Sequence, residues 1–312
     1  MIISASRRTD IPAFFADWFM QRVREGYVYR VNPFNAKQAK PVSLQPEDVD
    51  GIVFWTKQPK PLLRHLDELD GRGFRYYFQH TLNDYPALFE PKLAPLDARI
   101  EHLAELSGRI GAERVVWRYD PIIVSTVTPV AYHIETIAAL AERLRGRSVR
   151  LVISFMDMYG KVEGRIARLR QQHPELALTD IADPRQRGLL AELMQAVQTI
   201  AARTGFTVQS CAEAVDLSPW GVSHGACIDA ELLARSGPGG GGGLIHRKDR
   251  NQRPECLCTE AVDIGMYNTC LFNCTYCYAV QSEQAVRAAL QRHVPGSASL
   301  LYEYGSGEPP RQ

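Results

Sequence analysis

Ala261-Val262-Asp263-Ile264-Gly265-Met266-Tyr267-Asn268-Thr269-Cys270-Leu271-Phe272-Asn273-Cys274-Thr275-Tyr276-Cys277 runs from an apolar stretch directly into three cysteines. Residues Ala261–Tyr267 read as a buried strand. The remainder is a loop with the spacing Cys-x3-Cys-x2-Cys and an aromatic, Tyr276, before the third cysteine. A loop this short can wrap Cys270, Cys274 and Cys277 around one face of a [4Fe-4S] cubane. Such a cluster is normally held by four thiolates, so three leave one iron open for a small molecule. A zinc knuckle completed by a distant cysteine is the rival. Zinc sites usually show two Cys/His pairs, however, and the next histidine is His293. A third reading gives the loop cysteines no chemical role.

Working outward, the chain before the cysteines alternates apolar runs with amphipathic stretches. The runs are Ile2–Ala5, Gly51–Thr56, Phe74–His80, Arg114–Tyr119, Arg150–Phe155 and Thr207–Ser210. Near-continuous β-branched and aromatic runs suit strands buried on both faces, as in parallel sheets. Helices are predicted over Pro12–Arg24, Pro61–Leu69, Leu96–Gly108, Pro129–Arg145, Pro184–Ala202 and Val280–Arg292, several with proline where a first turn tolerates it. Tyr27–Pro33 and Lys40–Leu44 read as an inserted hairpin. With Ala261–Tyr267 this gives roughly seven parallel strands alternating with helices, an α/β chain whose first expectation is a TIM-like (β/α) barrel. The alternative is an open doubly wound sheet. It is weakened because no Gly-x-Gly-x-x-Gly follows a strand and no Walker phosphate loop is present. Residues 1–210 form the expected barrel core. Residues 211–312 form a Cys-rich segment that completes it and carries the metal chemistry. Ser236–Gly243, with five consecutive glycines, reads as a linker or surface loop.

Composition bounds the function. The chain has 312 residues, 45% of them hydrophobic, and a formal net charge of +1. No global field draws it to nucleic acid or membrane, and no stretch approaches the roughly 20 apolar residues of a membrane span. Its start lacks the charged, apolar and cleavage regions of a signal peptide. All seven cysteines lie between positions 211 and 277. A disulfide-stapled secreted protein is small and spreads its cysteines, so this clustering predicts metal chemistry in a reducing cytoplasm. Four cysteines lie outside the loop: Cys211, Cys227, Cys256 and Cys258. Their number matches a closed four-thiolate site. An auxiliary [4Fe-4S] cluster leads as its occupant, ahead of structural zinc. Free buried cysteines acting as small hydrophobes are the bland alternative.

In barrel enzymes chemistry sits at the C-terminal ends of strands. There the sequence places Arg7, Arg8 and Asp10, then Lys57, then Arg118 and Asp120, then Asp157, then Glu213. Taken singly, each is more simply a loop residue or a buried ion-pair member. Together, arginines that clamp carboxylates and carboxylates that hold hydroxyls or ammonium groups suit a zwitterionic ligand. The eight histidines are scattered without a metal-binding spacing and read as structural or solvated.

Cys270-Leu271-Phe272-Asn273-Cys274-Thr275-Tyr276-Cys277-Tyr278-Ala279 resembles the cluster loop of the radical S-adenosylmethionine (SAM) superfamily, in the flavour of its spore photoproduct lyase branch. The whole chain resembles a prokaryotic domain of unknown function (DUF1848), through Ile3-Ser4-Ala5-Ser6-Arg7-Arg8-Thr9-Asp10-Ile11-Pro12 and Asp263–Cys270. The resemblance implies that Cys270, Cys274 and Cys277 hold a [4Fe-4S] cluster and that SAM takes the open iron. It implies reductive cleavage of SAM and hydrogen abstraction from a small-molecule or macromolecular substrate, with a reductant such as flavodoxin or ferredoxin. Tyr276 would pack near the cluster or adenine. Arg7, Arg8, Asp10, Lys57, Arg118, Asp120, Asp157 and Glu213 would face SAM or substrate. The chain departs from that pattern twice. The loop lies near the end rather than after the first strand, which a circular permutation explains if Ala261–Tyr267 lies beside Ile2–Ala5. The Gly-Gly-Glu that holds the SAM amine is missing from Ser4–Asp10. That absence favours a second expectation, an iron–sulfur or zinc protein with an electron-transfer or structural cluster and no SAM chemistry. Lesion repair on nucleic acid, by analogy with the lyase branch alone, is opposed by the near-neutral charge.

Overall fold

The protein was analysed as a computed structural model, which describes residues 1–32, 35–158, 160–237 and 247–304. The glycine run of Ser236–Gly243 falls mostly outside the described residues.

Ten strands form. They are β1 Ile2–Ala5, β2 Tyr27–Asn32, β3 Asn35–Ser43, β4 Gly51–Thr56, β5 Tyr76–Thr81, β6 Val115–Ile122, β7 Arg150–Phe155, β8 Thr207–Ser210, β9 Ser223–His224 and β10 Val262–Asp263. Eight make one parallel sheet in the order β10-β1-β4-β5-β6-β7-β8-β9, and β2 and β3 form a separate antiparallel hairpin. The helices are α1 Ile11–Phe14, α2 Ala16–Glu25, α3 Lys60–Leu63, α4 Leu66–Gly71, α5 Leu96–Ile110, α6 Val130–Leu144, α7 Gly160–Gln172, α8 Arg187–Thr204, α9 Ala230–Arg235 and α10 Glu283–Leu290. The chain is therefore α/β with a parallel eight-stranded sheet. Among the described residues β9 and β10 are edge strands with no pairing to each other.

Strand alternation divides the core. Ile3, Ile52, Phe54, Tyr76, Phe78, Val115, Trp117, Leu151 and Ile153 pack with the helices in the main apolar cluster. Ile2, Val53, Tyr77, Val116 and Val152 point to the other face. That face is covered by Cys227, Ile228, Leu232, Leu233, Cys256 and Cys258 from the C-terminal part of the chain. Both faces are dry, which is why these strands read as continuous apolar runs.

The expected juxtaposition of chain ends is present, because β10 runs parallel to β1 with Ile3 opposite Val262 and Ser4 opposite Asp263. The expected strand Ala261–Tyr267 is corrected to two residues, because beyond Asp263 the chain turns over the N-terminal segment. Gly265 makes that crossing possible. A Cβ there would lie 2.1 Å from Ser6 Oγ and 2.7 Å from Thr9 Oγ1. Gly265→Ala must displace packed neighbours, and we expect about 1–3 kcal/mol of destabilisation in urea unfolding. An unchanged midpoint would mean that the two segments separate freely.

Candidate functional site: two cysteine groups at the strand ends

The parallel strands bring both cysteine groups to one end of the sheet. Cys211 directly follows β8, and the loop of Cys270, Cys274 and Cys277 follows β10. Cys274 is buried and the other two loop cysteines are half-buried.

The loop has no regular secondary structure and is fixed by Arg165 of α7. Its guanidinium donates from Nε to the Thr275 carbonyl at 3.1 Å, from Nη1 to the Val280 carbonyl at 3.2 Å, and from Nη2 to the Cys274 carbonyl at 2.9 Å. The same Nη2 reaches the Asn273 carbonyl and its Oδ1, both at 3.0 Å. Asn273 and Asn268 hold the left-handed backbone that the turns need, with φ of 55° and 60°. The Thr275 N–H donates to the Phe89 carbonyl at 2.9 Å. Donors face the sulfurs. The Ala279 N–H lies 3.4 Å from Cys277 Sγ, the Phe272 N–H points at Cys270, and the Tyr276 hydroxyl lies beside Cys274.

Around Cys274 lies a buried polar network. Lys57 Nζ bonds Glu90 Oε1 at 2.7 Å, and the Tyr276 hydroxyl also donates to that carboxylate. Asn83 Nδ2 reaches Glu90 and the Tyr276 hydroxyl at 3.4 Å each, and Arg99 Nη1 is 3.7 Å from Glu90 Oε2. Burial pushes the Cys274 thiol up to about 12 even though Lys57 favours the thiolate. Burial acts to lower the Lys57 pKa, but the Glu90 carboxylate and Cys274 together outweigh it, and the net direction is up. On the other side of the loop Asp10 caps α1, accepting from the Ala13 N–H at 3.1 Å, and takes the Lys57 N–H at 2.8 Å. Burial raises the Asp10 carboxyl to about 7. Burial, with Asp10 and the other two loop thiols, holds the Cys270 thiol well above its usual range.

The other four cysteines also meet. Cys227 Sγ is 3.1 Å from Cys211 Sγ, Cys227 lies beside Cys258, and Cys258 lies beside Cys256. Arg118 Nη1 donates to Cys227 Sγ at 2.8 Å, and the Ile228 N–H to Cys258 Sγ at 3.4 Å. Tyr77 and Gln79 bind the Cys227 carbonyl at 2.6 and 2.8 Å. A charge-assisted bond from a buried arginine to sulfur suits a thiolate. Pairwise contact is not a finished cage, however. Among the described residues no three His, Cys, Asp or Glu side chains are set as they stand to hold a metal ion. The donor chemistry of both groups, buried thiols with N–H or O–H donors at sulfur, fits soft thiophilic centres such as iron–sulfur clusters or zinc.

The remaining strand-end residues divide by partner. Arg8 is taken by Asp263, at 2.9 Å from Nη2 and 3.2 Å from Nε. Arg118 is paired with Asp120, which also accepts from the Ser154 hydroxyl. Glu213 accepts the Phe155 N–H at 2.9 Å, and burial raises its carboxyl to about 8. Asp157 is 48% exposed and pairs with Arg253 at 2.5 Å. Arg7 stacks on Trp55, 5.8 Å from the ring centre.

Sequence reasoning missed Glu90, Asn83, Arg99, Arg165 and Asp263. None adjoins a recognisable motif except Asp263, whose place inside an apolar run was the available signal. Asp263 receives six hydrogen bonds, from the hydroxyls of Ser4 and Ser6, the N–H groups of Arg7 and Gly265, and two nitrogens of Arg8. The reading of lone histidines as structural fits His133, which is buried between the Tyr119 hydroxyl at 2.8 Å and the Ile123 carbonyl at 3.0 Å.

Two surface depressions lie elsewhere, on the helical layer. One runs between α6 and α8 beside Ile134 and Gln195, and the other runs beside Pro61 and Glu105. Neither touches a cysteine. No helix among the described residues is long and apolar enough to cross a membrane.

No curated protein and no solved structure matches the chain at a significant level. One family model does, described as a domain of unknown function (DUF1848), over residues 2–279. That span opens at the first residue of β1 and closes two residues past Cys277, so it takes in all seven cysteines, and the chain belongs to the DUF1848 family.

Proposed function

We propose that the protein is a radical SAM enzyme. In this reading Cys270, Cys274 and Cys277 hold a [4Fe-4S] cluster whose open iron binds SAM, and the sheet is a circularly permuted radical SAM barrel. The carrying observation is the cysteine loop itself, three thiols on eight residues, fixed through backbone carbonyls by Arg165. The pairing of β10 with β1 supports the permutation. When bound, the cluster and SAM supply one-electron chemistry that the protein lacks on its own.

The chain's residues have definable tasks. Arg165 binds the Asn273, Cys274 and Thr275 carbonyls, while N–H donors such as that of Ala279 face the sulfurs. Lys57 places a positive charge beside Cys274, which favours the thiolate over the thiol. Glu90 fixes both Lys57 and Tyr276, so the aromatic ring stands against the cluster position without rotating. Tyr85, Phe89, Phe14 and Phe272 keep that side dry. Cys211, Cys227, Cys256 and Cys258 form a second, closed four-thiolate centre in this reading, with the Arg118 guanidinium at Cys227 Sγ. A ferredoxin or flavodoxin would deliver electrons, and the cytoplasm is the fitting compartment.

A second reading keeps both thiol groups as electron-transfer or structural centres without SAM. The missing Gly-Gly-Glu after β1 favours it. Electron paramagnetic resonance on anaerobically reconstituted, dithionite-reduced protein separates the two. We expect a [4Fe-4S]⁺ signal whose shape changes on adding SAM. A cluster signal indifferent to SAM would select the second reading. Zinc without iron would remove both clusters.

A further inference from the structure

We propose that Arg7, stacked on Trp55 beside Cys227 and Cys258, is the seat of an oxyanion, the carboxylate or phosphate group of a small-molecule ligand. Of the three arginines at the ends of β1 and β6, two are committed. Arg8 is clamped by Asp263, and Arg118 is held by Asp120, by Gln79 Oε1 at 3.2 Å and by Cys227 Sγ. The Arg7 guanidinium differs. Among the described residues no oxygen or sulfur accepts a hydrogen bond from it, and no carboxylate pairs with it. Its own backbone is held, with its N–H on Asp263 Oδ2 at 3.0 Å and its carbonyl accepting from the Tyr278 hydroxyl at 2.8 Å. The side chain is thus anchored at its root, with its five N–H donors available to a ligand.

The surroundings explain why an anion fits. Trp55 is flanked by two guanidiniums, Arg7 at 5.8 Å and Arg118 at 5.1 Å from the ring centre. Its indole Nε1 is buried and has no partner, so a second donor beside Arg7 is also idle. The charged or titratable groups facing Arg7 are Cys258, Asp263, Cys227 and Tyr278. Asp263 already accepts six hydrogen bonds, so its charge is well compensated. Burial acts to lower the Arg7 pKa, but Cys258, Asp263, Cys227 and Tyr278 together outweigh it and the net direction is up. What the guanidinium lacks is a hydrogen-bond acceptor, and a forked oxyanion supplies it with two parallel bonds.

The test uses full-length, anaerobically reconstituted protein and its metal-free form, titrated with succinate and separately with inorganic phosphate. Binding is read by calorimetry and by tryptophan fluorescence, with Trp55→Phe identifying the Trp55 contribution. The expected result is saturable binding that Arg7→Ala weakens roughly 10- to 100-fold. Arg7→Lys, which keeps the charge without the fork, should lose less and guards against a folding artefact. Preference for succinate or for phosphate names the group. Competition with SAM assigns the oxyanion to SAM itself, whereas joint binding assigns it to a substrate. Only this last arm rests on the radical SAM reading, which fails separately if SAM does not bind at all. Binding equal in wild type and Arg7→Ala, or no binding to wild type, overturns the proposal. So does an Arg7→Ala protein that loses metal but not anion, since Arg7 would then be counter-charge for the Cys227–Cys258 thiols.

Discussion

Cys274→Ser protein, reconstituted anaerobically, is expected to retain its fold, to lose the iron of the loop and to lose SAM cleavage to background. The substitution is nearly isosteric, and Cys274 is only 5% exposed, so the side chain is packed and no other thiol can swing into its place. Serine offers a hard oxygen whose proton is far harder to remove than a thiol's, at a centre that selects soft thiolates. The neighbouring Lys57–Glu90–Tyr276 network remains intact, since it rests on Glu90 and not on the sulfur. Iron bound at Cys211, Cys227, Cys256 and Cys258 should persist, so total iron falls but does not vanish, and Cys258→Ser gives the complementary loss. Retained SAM cleavage by Cys274→Ser would sink the assignment of the loop. Loss of all iron would show that the two thiol groups load as one.

Asp263→Ala is expected to give the largest loss of stability of any single polar substitution at the strand ends, about 3 kcal/mol or more. The carboxylate gathers β1, the segment after it and Gly265 around one point, and its removal strands several donors together. Its side chain is 20% exposed and that of Arg8 is 13% exposed, so water can rescue only part of the loss. Breaking one partner of a largely buried ion pair costs roughly 3–5 kcal/mol, because the remaining charge is left unpaired. Asp263→Asn keeps an acceptor for two or three of the donors and should fall between the two. The check is the urea midpoint at unchanged slope. A shift below about 1 kcal/mol would show that β10 is held by the apolar packing of Ile264 and Met266 and not by the carboxylate.

Legibility in the sequence tracked burial. β1, β4, β7 and β8 have the expected limits; for β1 and β4 the reason is that strands dry on both faces carry an uninterrupted hydrophobic signal. β9, Ser223–His224, is exposed at both residues and had no such signal. Helix α7 was missed because Gly160, Gly164 and five charged residues surround its stripe of Val162, Ile166 and Leu169. That four-then-three spacing was the clue available. Pro12–Arg24 and Pro61–Leu69 each read as one helix and are each two, since the chain bends at Phe15 and at Arg64–His65. For the candidate site, the thiols were visible because cysteine spacing is local. The residues that fix them were not. Arg165 reaches the loop from more than a hundred positions away, and Glu90 meets Tyr276 across 186. Nothing in either local sequence records such meetings.

The pairing of β10 with β1 also has a consequence for biogenesis. β1 leaves the ribosome well before its neighbour at Asp263, which follows 259 positions after Ser4. Until then one edge of the sheet has only β4 beside it, and the hydroxyls of Ser4 and Ser6 have no carboxylate to meet. Contacts of such separation form late and slowly. Whatever the cysteine loop receives must therefore be delivered after β4–β8 have been made, and a translation product arrested before the loop would carry those strands without the thiols of Cys270, Cys274 and Cys277.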